Sequence, residues 1–508
     1  MAACVFTFFI LLISVNSNAE DNVWHDEEHF SNPILKGDYA DPTVIRVEDD
    51  YYMTNSSFCY TPGLLIWHSR NLVNWRPVVY ALQEYDGDIW APELVHHEGR
   101  FYIYYYTAGP EKRGNRVVWA PQIEGPWSSP IDLKIPHIDP GHTVGPDGRR
   151  YLHLSGGHIV ELAKDGLSVA GEVRKVYDGW PIPKDWTIEC FCLESPKLIF
   201  KDGYYHMFSA QGGTAGPATS HMVVHARSRT PEGPWENSPL NPILRTEHWS
   251  EPWWSRGHGT VIDTPQGDWW IIYHGYDRDF YNLGRQVLLQ PVEWTQDGWL
   301  RIADDSDLSQ PIRRPTGKPV SDGFDLSDDF SSKKLGMQWR FWKEKDRDRI
   351  KVNDGALIMK GKGTSPGDSS PVVIINSESA YEFQVDVEIK DDSLAGLILF
   401  YNPSCYAAIA LGREGLYVGH RAVMSRVGDV KVSNRARLKI RSDHHQVDFL
   451  LDADGKGFRR VGTSTEVSGY NHNAIGGFLS LRPGLFCSGQ GEALFRDFQF
   501  RRLNTSHP

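Results

Sequence analysis

The sequence predicts an all-β protein: a five-bladed β-propeller followed by a jelly-roll-like β-sandwich. Three observations carry this expectation. Aromatic strand segments recur five times at a spacing of roughly 50–65 residues, the length of a propeller blade. Several repeats close on a turn that carries a tryptophan. Past residue 312 the repeat stops, a polar stretch intervenes, and alternating β segments resume in a different pattern. Composition agrees, because 18 Trp, 22 Tyr, 22 Phe and 47 Gly among 508 residues favour short strands and turns over long helices. A chain of this length also exceeds what one core carries, so at least two domains are expected.

The chain opens with MAACVFTFFILLISVNSNAE, an apolar run from Val5 to Val15 followed by the small-residue site Ser17-Asn18-Ala19. This predicts a signal peptide over residues 1–19 and a secreted, extracellular protein. The run is short for a bilayer and no other segment reaches about 18 apolar residues, so no membrane span is expected. A net charge of −12 argues against a nucleic-acid partner. Surplus aromatic residues fit an oligo- or polysaccharide partner, since sugar rings stack their apolar faces on aromatic rings. Beyond Cys4 in the leader there are Cys59, Cys190, Cys192, Cys405 and Cys487, an odd number. Cys405–Cys487 is the expected disulfide. Cys190-x-Cys192 lacks a second pair of ligands and is not read as a zinc site.

The propeller is placed at residues 30–312. Its aromatic strands are introduced by the turns Asp49-Asp50-Tyr51-Tyr52, Gly99-Arg100-Phe101-Tyr102, Gly148-Arg149-Arg150-Tyr151, Asp202-Gly203-Tyr204-Tyr205 and Gly267-Asp268-Trp269-Trp270. Trp75, Trp127, Trp235 and Trp299 sit in closing turns. The segment before each aromatic strand should be the innermost strand of its blade. Four of the five begin with an acid beside a proline: Asp41-Pro42, Pro92-Glu93, Asp139-Pro140 and Glu194-Ser195-Pro196. The fifth begins Gly257-His258-Gly259. Equivalent positions on five blades converge on one small volume, where four acids would repel one another to no purpose unless they had a task. Hydrolysis of a glycosidic bond is such a task. It needs a proton donor to the leaving oxygen and a second carboxylate opposite, with one carboxyl pushed up by burial and by a neighbouring like charge. No Gly-rich phosphate loop, GxSxG elbow or HExxH motif offers another chemistry.

These residues resemble glycoside hydrolase family 43 in Asn32-Pro33-Ile34, Tyr39-Ala40-Asp41-Pro42, Ser56-Ser57-Phe58, Trp67-His68-Ser69-Arg70-Asn71-Leu72-Val73-Asn74-Trp75 and Trp90-Ala91-Pro92. The likeness continues through Ile138-Asp139-Pro140, Glu194-Ser195-Pro196-Lys197, Gly257-His258-Gly259 and Gly284-Arg285. The resemblance implies inverting hydrolysis, with Asp41 as general base, Glu194 as general acid and Asp139 tuning and orienting Glu194. It implies that Arg285 binds sugar hydroxyls and that Phe58 and Trp90 wall the pocket. It also implies that His258 joins a hydrated calcium in the axial channel, as in some members. Glu93 departs from the family, where Asp is commoner after Trp-Ala-Pro. Glu189-Cys190 is similar to the Glu-Cys motif of invertase-like propellers, which makes Glu189 the rival acid. The implied activity is an exo-glycosidase releasing terminal pentose, β-xylosidase or α-L-arabinofuranosidase, from plant-type or algal polysaccharides. The alternatives are action on another sugar such as galactose, or a propeller lectin that binds without cutting.

A polar linker around Ala303–Asp307 and Arg313–Gly317 leads to the second domain at 322–503. YEFQVDVEI, AGLILFY, YAAIAL, ARLKIRS, VDFLL and ALFRDFQF alternate as sandwich strands do. Asp328-Asp329-Phe330 through Trp339-Arg340-Phe341 resembles the lectin-like domain that follows family 43 propellers of the β-xylosidase type. Such a domain binds sugar, lends a loop to the active-site pocket or only buttresses the propeller. Of two sequons, Asn504 in the tail is expected to be open to a glycan and Asn55, in a propeller strand, closed to one.

Overall fold

The computed structural model describes residues 28–109, 112–304, 306–343, 347–428 and 430–504; the expected signal peptide lies outside the described residues. Five antiparallel sheets follow one another along the chain. Blade 1 is Thr43–Val47, Asp50–Thr54, Gly63–Ser69 and Arg76–Leu82. Blade 2 is Asp88–His97, Arg100–Ala108, Gly114–Ala120 and Ile131–Asp132. Blade 3 is Gly141–Val144, Arg150–Leu154, His158–Leu162 and Arg174–Lys175. Blade 4 is Glu194–Lys201, Tyr204–Gln211, Met222–Ser228 and Glu236–Asn237, with Leu244–Arg245 also on its third strand. Blade 5 is Trp253–Asp263, Trp269–Asp277, Arg285–Trp294 and Leu300–Ile302.

The apolar clusters explain why the second strands read as unbroken aromatic runs. Each cluster lies between two blades. Leu64 and Ile66 of blade 1 pack with Leu94, Ile103 and Tyr105 of blade 2. Val95 and Tyr104 of blade 2 pack with Leu152 and Val160 of blade 3. Phe208 and Val223 of blade 4 meet Val261 and Ile271 of blade 5, and Trp270 and Val287 of blade 5 meet Tyr51 and Trp67 of blade 1. A blade is therefore covered on both faces, and period-two alternation is lost in its middle strands. The turn tryptophans fold back on their own turns: the Trp75 indole N–H donates to the Leu72 carbonyl at 2.8 Å and that of Trp127 to the Ile123 carbonyl at 3.1 Å. The ring closes where the segment around Ile34 and Leu35 bonds along Val287 of blade 5, and His29–Phe30 pairs with Ile312–Arg313.

The second domain is a sandwich of an eight-stranded and a seven-stranded sheet. One strand of the larger sheet comes from the propeller: Tyr60–Thr61 pairs with Arg340–Trp342. Phe58, Cys59 and Tyr60 belong to the sandwich core, so the two domains share apolar surface. The sulfur pairing differs from the sequence expectation. Cys190 and Cys192 form a disulfide, whereas Cys59, Cys405 and Cys487 are buried thiols. Cys405 and Cys487 lie on strands flanking Ser393–Asn402, opposite Asn402 and Ala395 respectively. That offset is roughly 23 Å along the strand, far beyond disulfide reach. Asn55 is buried and its side-chain N–H donates to the Tyr39 carbonyl at 2.7 Å, which leaves a glycan no access, while Asn504 is exposed. Among the described residues no helix is long and apolar enough to cross a membrane.

Candidate active site

Each innermost strand carries, in it or just ahead of it, a non-glycine residue in the left-handed region at a matching place: Asp41 (φ 58°), Ala91 (31°), Asp139 (57°), Ser195 (50°) and His258 (54°), with Ser255 (49°) a further one in blade 5. Such a kink re-aims a side chain off the strand's own face. Asp enters this region at lower cost than most residues, and it holds two of the five positions. Asp41, Asp139 and His258 are thereby turned into the axis, with Glu194 one residue ahead of the fourth kink.

His258 stands at the centre. Its Nδ1 lies 3.2 Å from Asp41 Oδ1, and its Nε2 lies 3.4 Å from Asp139 Oδ2 and 3.6 Å from Glu194 Oε1. Burial works against a charged imidazole, but Asp41, Asp139 and Glu194 together push its pKa up to about 10. Asp41 is further held by the Arg285 guanidinium, 2.9 Å from Oδ1, and by the Ser56 hydroxyl on Oδ2. Its backbone N–H donates to His274 Nδ1 at 3.0 Å. Burial alone would raise the Asp41 carboxyl; Arg285 and then His258 outweigh it and hold the group well below the usual carboxylate range. Glu194 goes the other way. Burial and then the Asp139 charge raise it, against the opposing pull of His258. Its side chain is also the most open of the three, 18% exposed against 6% for Asp41 and 4% for Asp139.

Glu93 does not join this cluster. It follows its proline, so Ala91 occupies the kink and Glu93 faces the layer beneath. The expectation of four converging acids is corrected to three. Glu189 is exposed, on the loop leading to Glu194. Its backbone N–H bonds Gly212 O and Ser220 Oγ, and its carboxyl, raised by burial, also feels Arg285. It stands at the rim, away from His258.

Phe58 and Phe478 lie on the Arg285 guanidinium, their ring centres 5.5 and 5.3 Å from it. Trp90 is half-buried, 6.1 Å from both Tyr106 and Phe478. Phe478 comes from the sandwich. The helix His472–Ile475, capped by the Asn471 side chain, delivers it through Gly476 and Gly477, and His472 stacks on its ring at 3.8 Å. The same domain contributes Arg482, which donates to Asp38 Oδ2 at 3.2 Å with both side chains 1% exposed. Asp38 Oδ1 accepts from the backbone N–H of Arg285 at 3.3 Å. Arg482→Leu leaves Asp38 buried and unpaired, which should cost about 3–5 kcal/mol. Chemical denaturation measures it, and a loss below about 1 kcal/mol would show that the pair does not hold the domains together.

The donor set does not fit calcium, which takes six to eight oxygen ligands. Both nitrogens of His258 face carboxylates. The two groupings of ligand-type side chains among the described residues, Asp41–His258–His274 and Glu194–His221–His258, both run through it. Directly beneath, the axis already holds the Lys197 ammonium.

The chain is similar to known proteins along most of its length. Non-reducing end α-L-arabinofuranosidase BoGH43B of Bacteroides ovatus is 26% identical over 95% of this chain and 97% of its own length. A xylan 1,3-β-xylosidase from a Vibrio species is 33% identical over 54% of this chain and 57% of its own. The crystal structure of the GH43 protein BlXynB from Bacillus licheniformis superposes with a TM-score of 0.84 at 28% identity, covering 94% of this chain and 100% of that one. The β-xylosidase C-terminal concanavalin A-like domain matches residues 327–501. Glycosyl hydrolases family 43 matches residues 30–300, more than half of the sequence, and the chain belongs to that family and is a glycoside hydrolase.

Proposed function

We propose that the protein is a secreted, inverting exo-glycosidase that releases terminal pentose, xylose or arabinofuranose, from plant-type or algal polysaccharides. Asp41 is the general base that activates water, Glu194 the general acid, and Asp139 the group that keeps Glu194 protonated. The observation that carries this reading is the imidazole of His258 between Asp41 and Glu194, one carboxyl on each of its ends. A ring so placed supports the roughly 6.5–9.5 Å spacing that admits a water, not the roughly 5 Å of retaining pairs. Phe58, Trp90 and Phe478 gather around Arg285 from two domains, which supports a closed pocket for one terminal sugar. The Cys190–Cys192 disulfide supports an oxidising, extracellular setting.

The test is turnover of an aryl β-xyloside, an aryl α-L-arabinofuranoside and arabinoxylan, with the first-formed anomer read by NMR. The expected product is free pentose of inverted configuration. A retained anomer would overturn the assignment of Asp41 as base, and no pentose from any of the three would move the substrate to another sugar.

A further inference from the structure

Two residues beyond each kink, the innermost strands bring Thr43, Glu93, Gly141, Lys197 and Thr260 to a second layer. Glu93 and Lys197 are 8% and 6% exposed and meet across the axis, Nζ to Oε2 at 2.6 Å. Lys197 also donates to the Pro92 carbonyl at 3.0 Å, and the Thr43 hydroxyl donates to the same Oε2 of Glu93 at 3.1 Å. The other oxygen, Oε1, accepts the His142 N–H at 3.2 Å. One carboxylate oxygen thus joins the strand of the base, two residues past Asp41, to the strand of the acid, three residues past Glu194. A cavity of about 320 Å³ lies alongside this layer, lined by Arg46, His96, Phe208 and Asp263 among others, and on its far side Arg46 pairs with Asp263 and Thr260 donates to the Pro42 carbonyl, tying blade 1 to blade 5. The strands of blades 3 and 4 meet as closely as backbone allows. A Cβ on Gly141 would sit 1.5 Å from the Pro196 carbonyl oxygen.

We infer that Glu93 and Lys197 are positioning residues that gauge the separation of Asp41 and Glu194 across the propeller axis. The inference rests on the roles proposed above for those two carboxyls. A buried ion pair contributes little net stability but fixes one arrangement over others. Here the arrangement fixed is the base-to-acid distance, on which a water-mediated displacement depends. The Glu93 carboxylate reaches Thr43 and Lys197 together.

The experiment compares Glu93→Asp, Lys197→Met, their double variant and Thr43→Val with Asp41→Asn and Glu194→Gln, reading kcat and KM on an unactivated pentoside. Glu93→Asp and Lys197→Met should each lose about 10²-fold in kcat with KM within about threefold, the signature of misplaced rather than missing groups. The double variant should be no worse than the poorer single, because either change breaks the same span. Thr43→Val, which trades a hydroxyl for a methyl and keeps the fold, should lose about tenfold in kcat. It decides the matter if a charged-pair variant does not fold. A kcat within about twofold of the parent in a folded single variant, or multiplicative losses in the double, overturns the inference. If Asp41→Asn and Glu194→Gln keep full activity, it is the assignment of base and acid that fails instead.

Discussion

Glu194→Gln should lose between about 10² and 10⁴-fold in kcat on a natural pentoside while keeping most of its rate on an aryl glycoside with a good leaving group. Glutamine matches the shape and the contact with His258 but has no proton to give the departing oxygen. A leaving group that is stable as an anion needs none. The pH profile carries the same message with a definite sign. As the proposed acid, Glu194 would have to be protonated to act, so activity is expected to fall as pH rises through its raised pKa. Asp41 must be ionised, and because its pKa is depressed, the acidic limb lies below the usual carboxylate range. Asp139→Asn removes the like charge that holds Glu194 up, after burial the largest raising influence on it. The basic limb should therefore move to lower pH while the acidic limb stays. Steady-state kinetics on matched substrates check all of this. Equal losses of Glu194→Gln on both leaving groups would dismiss Glu194 as the donor and turn attention to Glu189.

The repeat made the propeller legible because a blade is a local unit: its strands pair with sequence neighbours and its turn signals are short-range. The site was legible for the same reason. Asp41, Asp139 and His258 occupy matching places in the first, third and fifth repeats, with Glu194 one residue ahead of that place in the fourth, and rotational repetition turns sequence register into spatial convergence. Glu93 shows the limit of that logic. A proline beside an acid looked equivalent in four repeats, but the order of the two residues decides which layer the carboxyl enters, and only the backbone kink at Ala91 reveals it. His274 was hidden differently. It lies in the second strand of blade 5, Trp269–Asp277, where the aromatic pattern absorbs it as core. Phe478 and Arg482 carried no signal that sequence reasoning could use. Each sits almost two hundred residues from Arg285, and their place depends on how a sandwich docks on a propeller. The disulfide failed from the opposite cause: the expected pair shares one sheet, but the strand register, set by long-range pairing, keeps its members apart.

Asp41→Asn should abolish turnover as severely as Glu194→Gln does on natural substrates, about 10²–10⁴-fold, but without regard to the leaving group. In the proposed role Asp41 acts on the attacking water, and no leaving group, however good, supplies that activation. The variant should also be less stable. Asparagine cannot balance Arg285, whose Nη1 lies 2.9 Å from Asp41 Oδ1 with both side chains all but buried, and removal of one partner of such a pair costs about 3–5 kcal/mol. His258 loses its strongest anionic neighbour at the same time. In the parent enzyme its raised pKa contributes stability that is complete below the imidazole's ordinary value near 6.5 and is lost as pH rises through about 10. Without Asp41 that contribution should shrink and end at lower pH. Denaturation midpoints across pH 6–10 and rates on two leaving groups, taken well below the unfolding temperature, separate the two effects. A variant that is destabilised yet turns over the aryl substrate normally would leave Asp41 as a structural partner of Arg285 and take the base away from it. A uniform loss of rate with the expected loss of stability places both duties, counter-charge and base, on the one carboxylate that the first blade turns into the axis.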